Sequence, residues 1–226
     1  MLVAALDLDR TGRLLDVGCG PGSLTLLLAP HFAEAIGIDA DADMLGEAAR
    51  LADERGVSNV RWAQMRAEEL PADLPPMTLV SLAQSFHWMD RRRVAAAARR
   101  LMAAGGALVH VGAVTHQGVE TDAALAHPQP PLQEITRLVR LYLGPQQRAG
   151  QGVLIAGTPD GEDTIYRAAG FTGPQRLDVS GWVVERTAEE IVASVYSLSG
   201  SAPPSLRRLP QRLRPRPAPT AHRRLP

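Results

Sequence analysis

Leu14-Leu15-Asp16-Val17-Gly18-Cys19-Gly20-Pro21-Gly22 constrains this chain more than any other stretch. An apolar run stops on an acid and opens into three glycines at alternate positions. A second apolar segment, Leu24 to Ala29, follows at once and is closed by Pro30. The pattern predicts a buried strand, a tight glycine turn and a helix, an arrangement that brings backbone close to a bound nucleotide. A Cβ in such a turn would block positive φ and hold the backbone away from the ligand.

Downstream, strand and helix signals alternate. Ala35-Ile36-Gly37-Ile38-Asp39 reads as a second strand, again ending on an acid. Asp41 to Arg55 reads as a helix with an acidic start and Gly56 as its stop. Asn59 to Gln64 and Leu79 to Ala83 read as the third and fourth strands. Asp90 is the expected cap of a long Ala/Arg helix ending at Gly105-Gly106, and Ala107 to Val111 is the expected fifth strand. Strands separated by helices imply an α/β fold with a parallel sheet covered on both faces. Ligands of such sheets sit at the carboxyl ends of the strands.

After Val111 the pattern loosens. Residues 112 to 131 read as a loop, and Pro131 to Leu143 as a helix. Thr158-Pro159-Asp160 starts a helix that should stop at Gly170. Gln175 to Val179 reads as a strand. Thr187-Ala188-Glu189-Glu190 is a capping box for a helix to about Leu198. Three regions follow: a core over 1–111, the remainder of the same domain over 112–200, and a tail over 201–226.

The chain has 226 residues and no net formal charge. The average hides an asymmetry. Residues 203 to 226 hold seven Arg, seven Pro and no acid, and the rest holds 17 Arg against 24 acids, a net of −7. The body is acidic and the tail basic, and the tail is expected to be disordered. An acidic body argues against a nucleic-acid partner. No apolar run approaches the roughly 20 residues of a membrane span, and residues 1 to 6 lack the basic start of a signal peptide. A cytoplasmic protein, monomer or homodimer, with no membrane partner is the expectation. The single cysteine, Cys19, leaves no internal disulfide. His110 with His116 lacks a third ligand, so no metal site is expected.

The spacing of the glycines narrows the ligand. A dinucleotide fingerprint needs G-x-G-x-x-G, yet Ser23 stands at the third position and the extra glycine falls at Gly22. The G-x-G-x-G pattern, with Asp16 two residues before it, closely resembles the first motif of the class I S-adenosylmethionine-dependent methyltransferases. The resemblance covers roughly residues 11 to 200 and implies a Rossmann-like doubly wound sheet, mostly parallel, with S-adenosyl-L-methionine as cofactor. In that family the glycine loop, here Gly18, Cys19, Gly20 and Gly22, packs on the amino-acid part of the cofactor, and Asp16 lies near its ammonium and sulfonium charges.

The resemblance also assigns residues farther along. Asp39 would accept both ribose hydroxyls, a charge-assisted contact; its plainer reading is a helix-start charge. Ala40 and Met44 would flank the adenosine. Ala67 and Glu68, before Leu70-Pro71, would meet the adenine edge with a backbone N–H and an acid; the plainer reading is a solvated turn. Gln84-Ser85-Phe86-His87-Trp88 resembles the fourth-strand segment of a bacterial branch acting on small molecules. Gln84 would then lie beside the cofactor's methionine part. His87 and Trp88 would face the methyl acceptor, with His87 the candidate base. The plainer reading has Phe86 and Trp88 covering the core and His87 capping the next helix. Alignment and desolvation alone can suffice for methyl transfer to a good nucleophile.

Three departures from the family stand out. Only about ten residues precede Gly12, where a covering helix is usual, so the start looks truncated. Ala104 replaces a usual Pro. The family ends with a strand pair beside the fifth strand, and here 175 to 179 is the one good candidate, with Gly181 to Glu185 as its partner unless the real last strand is missing; the Arg/Pro run after Ala202 resembles a shifted reading frame. The resulting expectation is methyl transfer to an O, N or C nucleophile of a small-molecule acceptor. The alternative is a cofactor-binding but inactive or regulatory domain with a basic partner-binding tail. A nicotinamide oxidoreductase is disfavoured by Ser23 and by the lack of any Lys for a Tyr/Lys pair.

Overall fold

The computed structural model describes residues 2–71, 73–112, 125–144, 147–149, 152–154, 161–181 and 183–196. A short helix, α1 (Leu2–Ala5), leads into β1 (Arg13–Val17), which is buried from Leu14 onward. The glycine turn follows, then α2 (Ser23–Leu28) and β2 (Glu34–Asp39). Helix α3 (Ala42–Arg55) starts where the Asp41 carboxylate accepts from the N–H groups of Asp43 and Met44. It stops at Gly56, whose φ of +63° suits glycine. Next come β3 (Val60–Gln64), β4 (Met77–Ala83), α4 (Arg91–Leu101) capped by Asp90, and β5 (Met102–Val111).

The five strands are parallel in the order β3-β2-β1-β4-β5. The chain runs outward from β1 to β3, then returns to lay β4 on the other side of β1. The order therefore reverses between β1 and β4, and a crevice opens at their carboxyl ends. The segments after β1 and β4 border that crevice.

Side chains alternate between two cores because the strand period is two. On one face, Leu15, Val17, Ile36, Ile38, Val80 and Leu82 pack against Val94, Ala95, Ala98 and Leu101 of α4. On the other, Leu14, Ala35 and Leu79 pack with Leu28, Ala29 and Phe32, and with Leu2, Leu6 and Leu8 from the amino-terminal segment. The apolar start of the chain thus closes one core.

The expected end of the fourth helix moves. Helix α4 stops at Leu101, and β5 begins at Met102 rather than Ala107. Leu101 is the last residue of the helix's buried stripe. Met102 pairs with Met77, and a shift of register precedes the pairing of Leu79 with Ala107. Gly105, at φ +76°, makes the irregularity possible.

Beyond β5 come α5 (Leu132–Leu143), a small antiparallel hairpin of β6 (Gln147–Ala149) and β7 (Gly152–Leu154), α6 (Glu162–Ala168) and α7 (Ala188–Tyr196). The hairpin has no counterpart in the sequence expectations; its β7 lies against the 3₁₀ turn Phe86–Trp88. Helix α6 starts at Glu162, after residues 155–160, which lie outside the described set together with the proposed Thr158 start. The capping box at Thr187 is present: Thr187 N–H donates to Glu190, and Glu190 N–H donates to Thr187 Oγ1.

The expected strand Gln175–Val179 does not form, nor does its partner among residues 181 and 183–185. Leu177 is 41% and Val179 69% exposed. Their alternating apolar pattern pairs with nothing, so among the described residues the sheet ends at β5. The tail over 201–226 and most of the 112–131 segment lie outside the described residues.

Candidate cofactor site

The glycine turn is fastened to β2. The N–H groups of Gly18 and Cys19 both donate to Ile38 O, at 2.8 and 3.0 Å. Gly20 N–H donates to Asp39 Oδ2 at 2.8 Å, and Gly22 N–H donates to Cys19 O at 3.0 Å. These amides are spent inside the protein. A phosphate cradle needs its loop N–H groups aimed outward. This loop instead suits a ligand part that carries no phosphate.

The three glycines differ in what they face, although all have positive φ. A Cβ on Gly18 would lie 2.6 Å from Ser85 Cβ and 2.8 Å from Met89 Cε. A Cβ on Gly22 would lie 2.7 Å from Trp62 Cη2. A Cβ on Gly20 would have nothing within 4 Å. Gly18 and Gly22 are therefore packing glycines, and the Cβ direction of Gly20 is open.

Asp39 closes β2 beside that crest. Its Oδ2 accepts from Gly20, and its Oδ1 accepts from Asp41 N–H at 2.9 Å. Each carboxylate oxygen can accept more than one hydrogen bond, so the half-buried group keeps capacity for two hydroxyls. Ala40 is exposed next to it, its carbonyl accepting from Gln64 Nε2 at 3.3 Å. Met44, on the first turn of α3, is 40% exposed. A cofactor with a ribose and an apolar base fits this set: bare backbone, an acid with spare acceptor sites, and an apolar flank.

Asp16 is placed differently from the expectation. It is 1% exposed, its Oδ2 accepting from Thr25 Oγ1 at 2.6 Å and its Oδ1 from Ser81 Oγ at 2.7 Å. Burial pushes its carboxyl above the usual range, against the opposing pull of Thr25 and Ser81. The group ties β1, α2 and β4 together beneath the turn, and no surface of it is open to a ligand's charges. Cys19 is buried too, and its thiol is pushed up by burial and by the carboxylates of Asp16 and Asp39, so it is not a ready nucleophile.

Glu68 also has its carboxylate engaged. It lies just after β3 in the 3₁₀ turn Ala67–Glu69, with Ala67 buried. Its Oε1 accepts from Asp90 N–H at 2.9 Å, and its Oε2 lies 3.5 Å from Arg66 Nε. Burial would raise it, yet the Asp90 N–H and Arg66 hold it below the usual range. Its side chain clamps this turn to the start of α4.

Beyond β4, Gln84 is exposed at φ +53°, an uncommon conformation for a residue with a Cβ. Its N–H donates to Val111 O at 3.1 Å, and Ser85 Oγ donates to Val17 O at 2.7 Å. Phe86 is 1% exposed and stacks on Tyr166 at 5.0 Å, with His110 edge-on at 5.6 Å. It covers the core, as its plainer reading held. His87 and Trp88 are half-buried neighbours, with ring centroids 5.0 Å apart. Burial, then the proximity of His110, pushes His87 below the ordinary imidazole value against the pull of Glu162. The shift favours the neutral imidazole, the form that can accept a proton. Asp90, not His87, caps α4.

Several contributors went unread in the sequence. Thr25 and Ser81 are each a lone polar residue in an apolar run, a usable signal facing Asp16. Trp62 and Tyr166 carried none. Among the described residues no group of three or more His, Cys, Asp or Glu could hold a metal.

Residues 14–106 match the family model for a methyltransferase domain. They form a class I S-adenosylmethionine-dependent methyltransferase domain. The chain is similar to an uncharacterized methyltransferase, YcgJ, of Bacillus subtilis, with 33% identity over 107 residues, 47% of this chain and 42% of that protein. The YcgJ crystal structure superposes with a TM-score of 0.42 and 30% identity, covering 45% of this chain and 44% of that one. A ubiquinone biosynthesis O-methyltransferase of Methylococcus capsulatus is 38% identical over 98 residues, 42% of this chain and 40% of that protein. A 23S rRNA (uracil-C5) methyltransferase of Stenotrophomonas maltophilia is 37% identical over 65 residues, 27% of this chain and 15% of that protein. The match thus spans less than half the length of these relatives. The matched methyltransferase residues run from β1 into β5 and include Gly18 to Gly22, Asp39, Glu68 and His87.

Proposed function

We propose that this methyltransferase domain binds S-adenosyl-L-methionine over Gly20 and Asp39 and transfers its methyl group to an O, N or C nucleophile of a small molecule. One observation carries the reading. Gly20, whose Cβ direction is open, is held by the acid that ends β2, at the crevice where the strand order reverses. When bound, the cofactor supplies a methyl carbon on a positively charged sulfur. The chain's own residues do the rest. Asp39 holds the ribose, and Ala40 and Met44 flank the base. The backbone of Ala67 and Glu68 meets the adenine edge, the Glu68 carboxylate being engaged elsewhere. Gln84 lies beside the methionine part. Asp16 works beneath the turn as its anchor. His87, beside Trp88, faces the acceptor and in its neutral form takes the proton where the nucleophile carries one.

The acidic body favours a small molecule over RNA, and the ubiquinone-pathway relative supports that choice against the rRNA-directed one. No described helix is long and apolar enough to cross a membrane, and we place the protein in the cytoplasm. The test is transfer of an isotopically labelled methyl group from the cofactor into fractionated cell extract. Label in the small-molecule fraction is the expected result. Label in RNA overturns the acceptor class. Cofactor binding with no transfer to any fraction supports the second reading, a binding domain without turnover; among the described residues the missing strand beyond β5 favours it.

A further inference from the structure

Gly37 sits inside β2 between Ile36 and Ile38, where a glycine marks a close approach. The approaching group is Trp62. Register places Asp16, Gly37 and Trp62 in one row across β1, β2 and β3. A Cβ on Gly37 would lie 2.4 Å from Trp62 Cζ3 and 3.0 Å from Cys19 Sγ. A Cβ on Gly22 would lie 2.7 Å from Trp62 Cη2 and 3.3 Å from Ala48 Cβ. One indole thus fills the space left by two glycines, one in the sheet and one in the turn. It reaches back from β3 across β2 to the underside of the loop. The other foot of the loop, Gly18, is wedged by Ser85 and Met89.

We propose that Trp62 is a positioning residue for the cofactor: it props the carboxyl-terminal foot of the Gly18–Gly22 loop and so sets where Gly20 presents its backbone. This rests on the cofactor reading above. The proposed action of Trp62 is through Gly22, against which its ring packs. Close packing makes the prop stiff, because a void beneath the turn lets the turn sink. A displacement near 1 Å away from the reacting groups costs about 100-fold in rate, and a crest out of place also misaligns the contacts that bind the cofactor.

The experiment uses the full chain. Calorimetry with S-adenosylhomocysteine on the unaltered protein comes first; if it does not bind, the cofactor reading falls. Trp62→Leu and Trp62→Phe follow, with circular dichroism to confirm folding. Trp62→Leu is expected to weaken binding about tenfold in folded protein, the effect of about one misaligned hydrogen bond at the loop crest, with partial recovery in Trp62→Phe. A folded Trp62→Leu that binds like the unaltered protein overturns the proposal. Where Trp62→Leu does not fold, the doubly substituted Trp88→Phe/Trp182→Phe protein decides, since Trp62 is then the sole indole. Its emission is expected to shift on ligand addition and to saturate with the calorimetric binding curve. Emission that ignores a calorimetrically proven ligand overturns the proposal.

Discussion

The Gly20 N–H donates to Asp39 Oδ2 at 2.8 Å, so the crest of the glycine loop hangs from the acid that ends β2. The same carboxylate accepts from Asp41 N–H through Oδ1. Asp39 thus orders both the loop and the entry to α3, and each of its oxygens keeps a further acceptor site. Asp39→Ala is expected to weaken cofactor binding about 10- to 100-fold, the effect of a lost charge-assisted hydrogen bond of about 1.5–3 kcal/mol. Calorimetry measures it; an unchanged dissociation constant removes Asp39 from the site.

The glycines separate by direction. Gly20→Ala meets no atom, and its folding cost is the left-handed backbone alone, about 1–2 kcal/mol. Gly22→Ala adds a clash with the Trp62 ring and a neighbour at Ala48. Thermal melts should therefore show Gly22→Ala the less stable of the two, while Gly20→Ala, still folded, loses the cofactor. Equal melting temperatures would mean that Trp62 does not pack against the loop.

Asp16 couples the fold to pH. Burial raises its folded carboxyl above the unfolded value near 3.9, so unfolding is accompanied by proton release between the two. Its contribution is fully present below the unfolded value and is lost as pH rises through the folded one. Asp16→Asn keeps acceptor and donor functions without the charge and should flatten that part of the stability profile. Asp16→Ala leaves the Thr25 and Ser81 hydroxyls unpaired and should cost about 1–3 kcal/mol for each. Chemical denaturation across pH measures both.

How much of this was legible in sequence depends on whether local residues or distant partners decide. The five strands, the acidic start of α3, the Asp90 cap and the Gly56 stop followed from period and punctuation. The turn at Gly18 to Gly22 was legible because positive φ demands glycine. The burial of Asp16 was not, since Ser81 lies 65 residues away in the chain. The early end of α4 was hidden because Ala103, Ala104 and Gly105 punctuate weakly, whereas the pairing of Met102 with Met77 is a tertiary event. The strand expected at Gln175–Val179 had the right alternation but no partner at β5, and alternation without a partner leaves a strand unformed.

His87 sets a kinetic pH dependence. If it takes the acceptor's proton, it works in the neutral form, and burial together with His110 extends that form below the ordinary imidazole value near 6.5. The pH profile of kcat/KM should rise with pH, with its midpoint below that value. His87→Ala should lose the rise along with activity. An unaltered profile in the variant would leave alignment and desolvation as the means of transfer.

The most direct measurement is a calorimetric titration of S-adenosyl-L-methionine into the folded full chain, repeated with Asp39→Ala. One site per chain, weakened in the variant, is the predicted result. A folded chain that takes up no cofactor at millimolar concentration would contradict the assignment of Gly20 and Asp39 as its cradle.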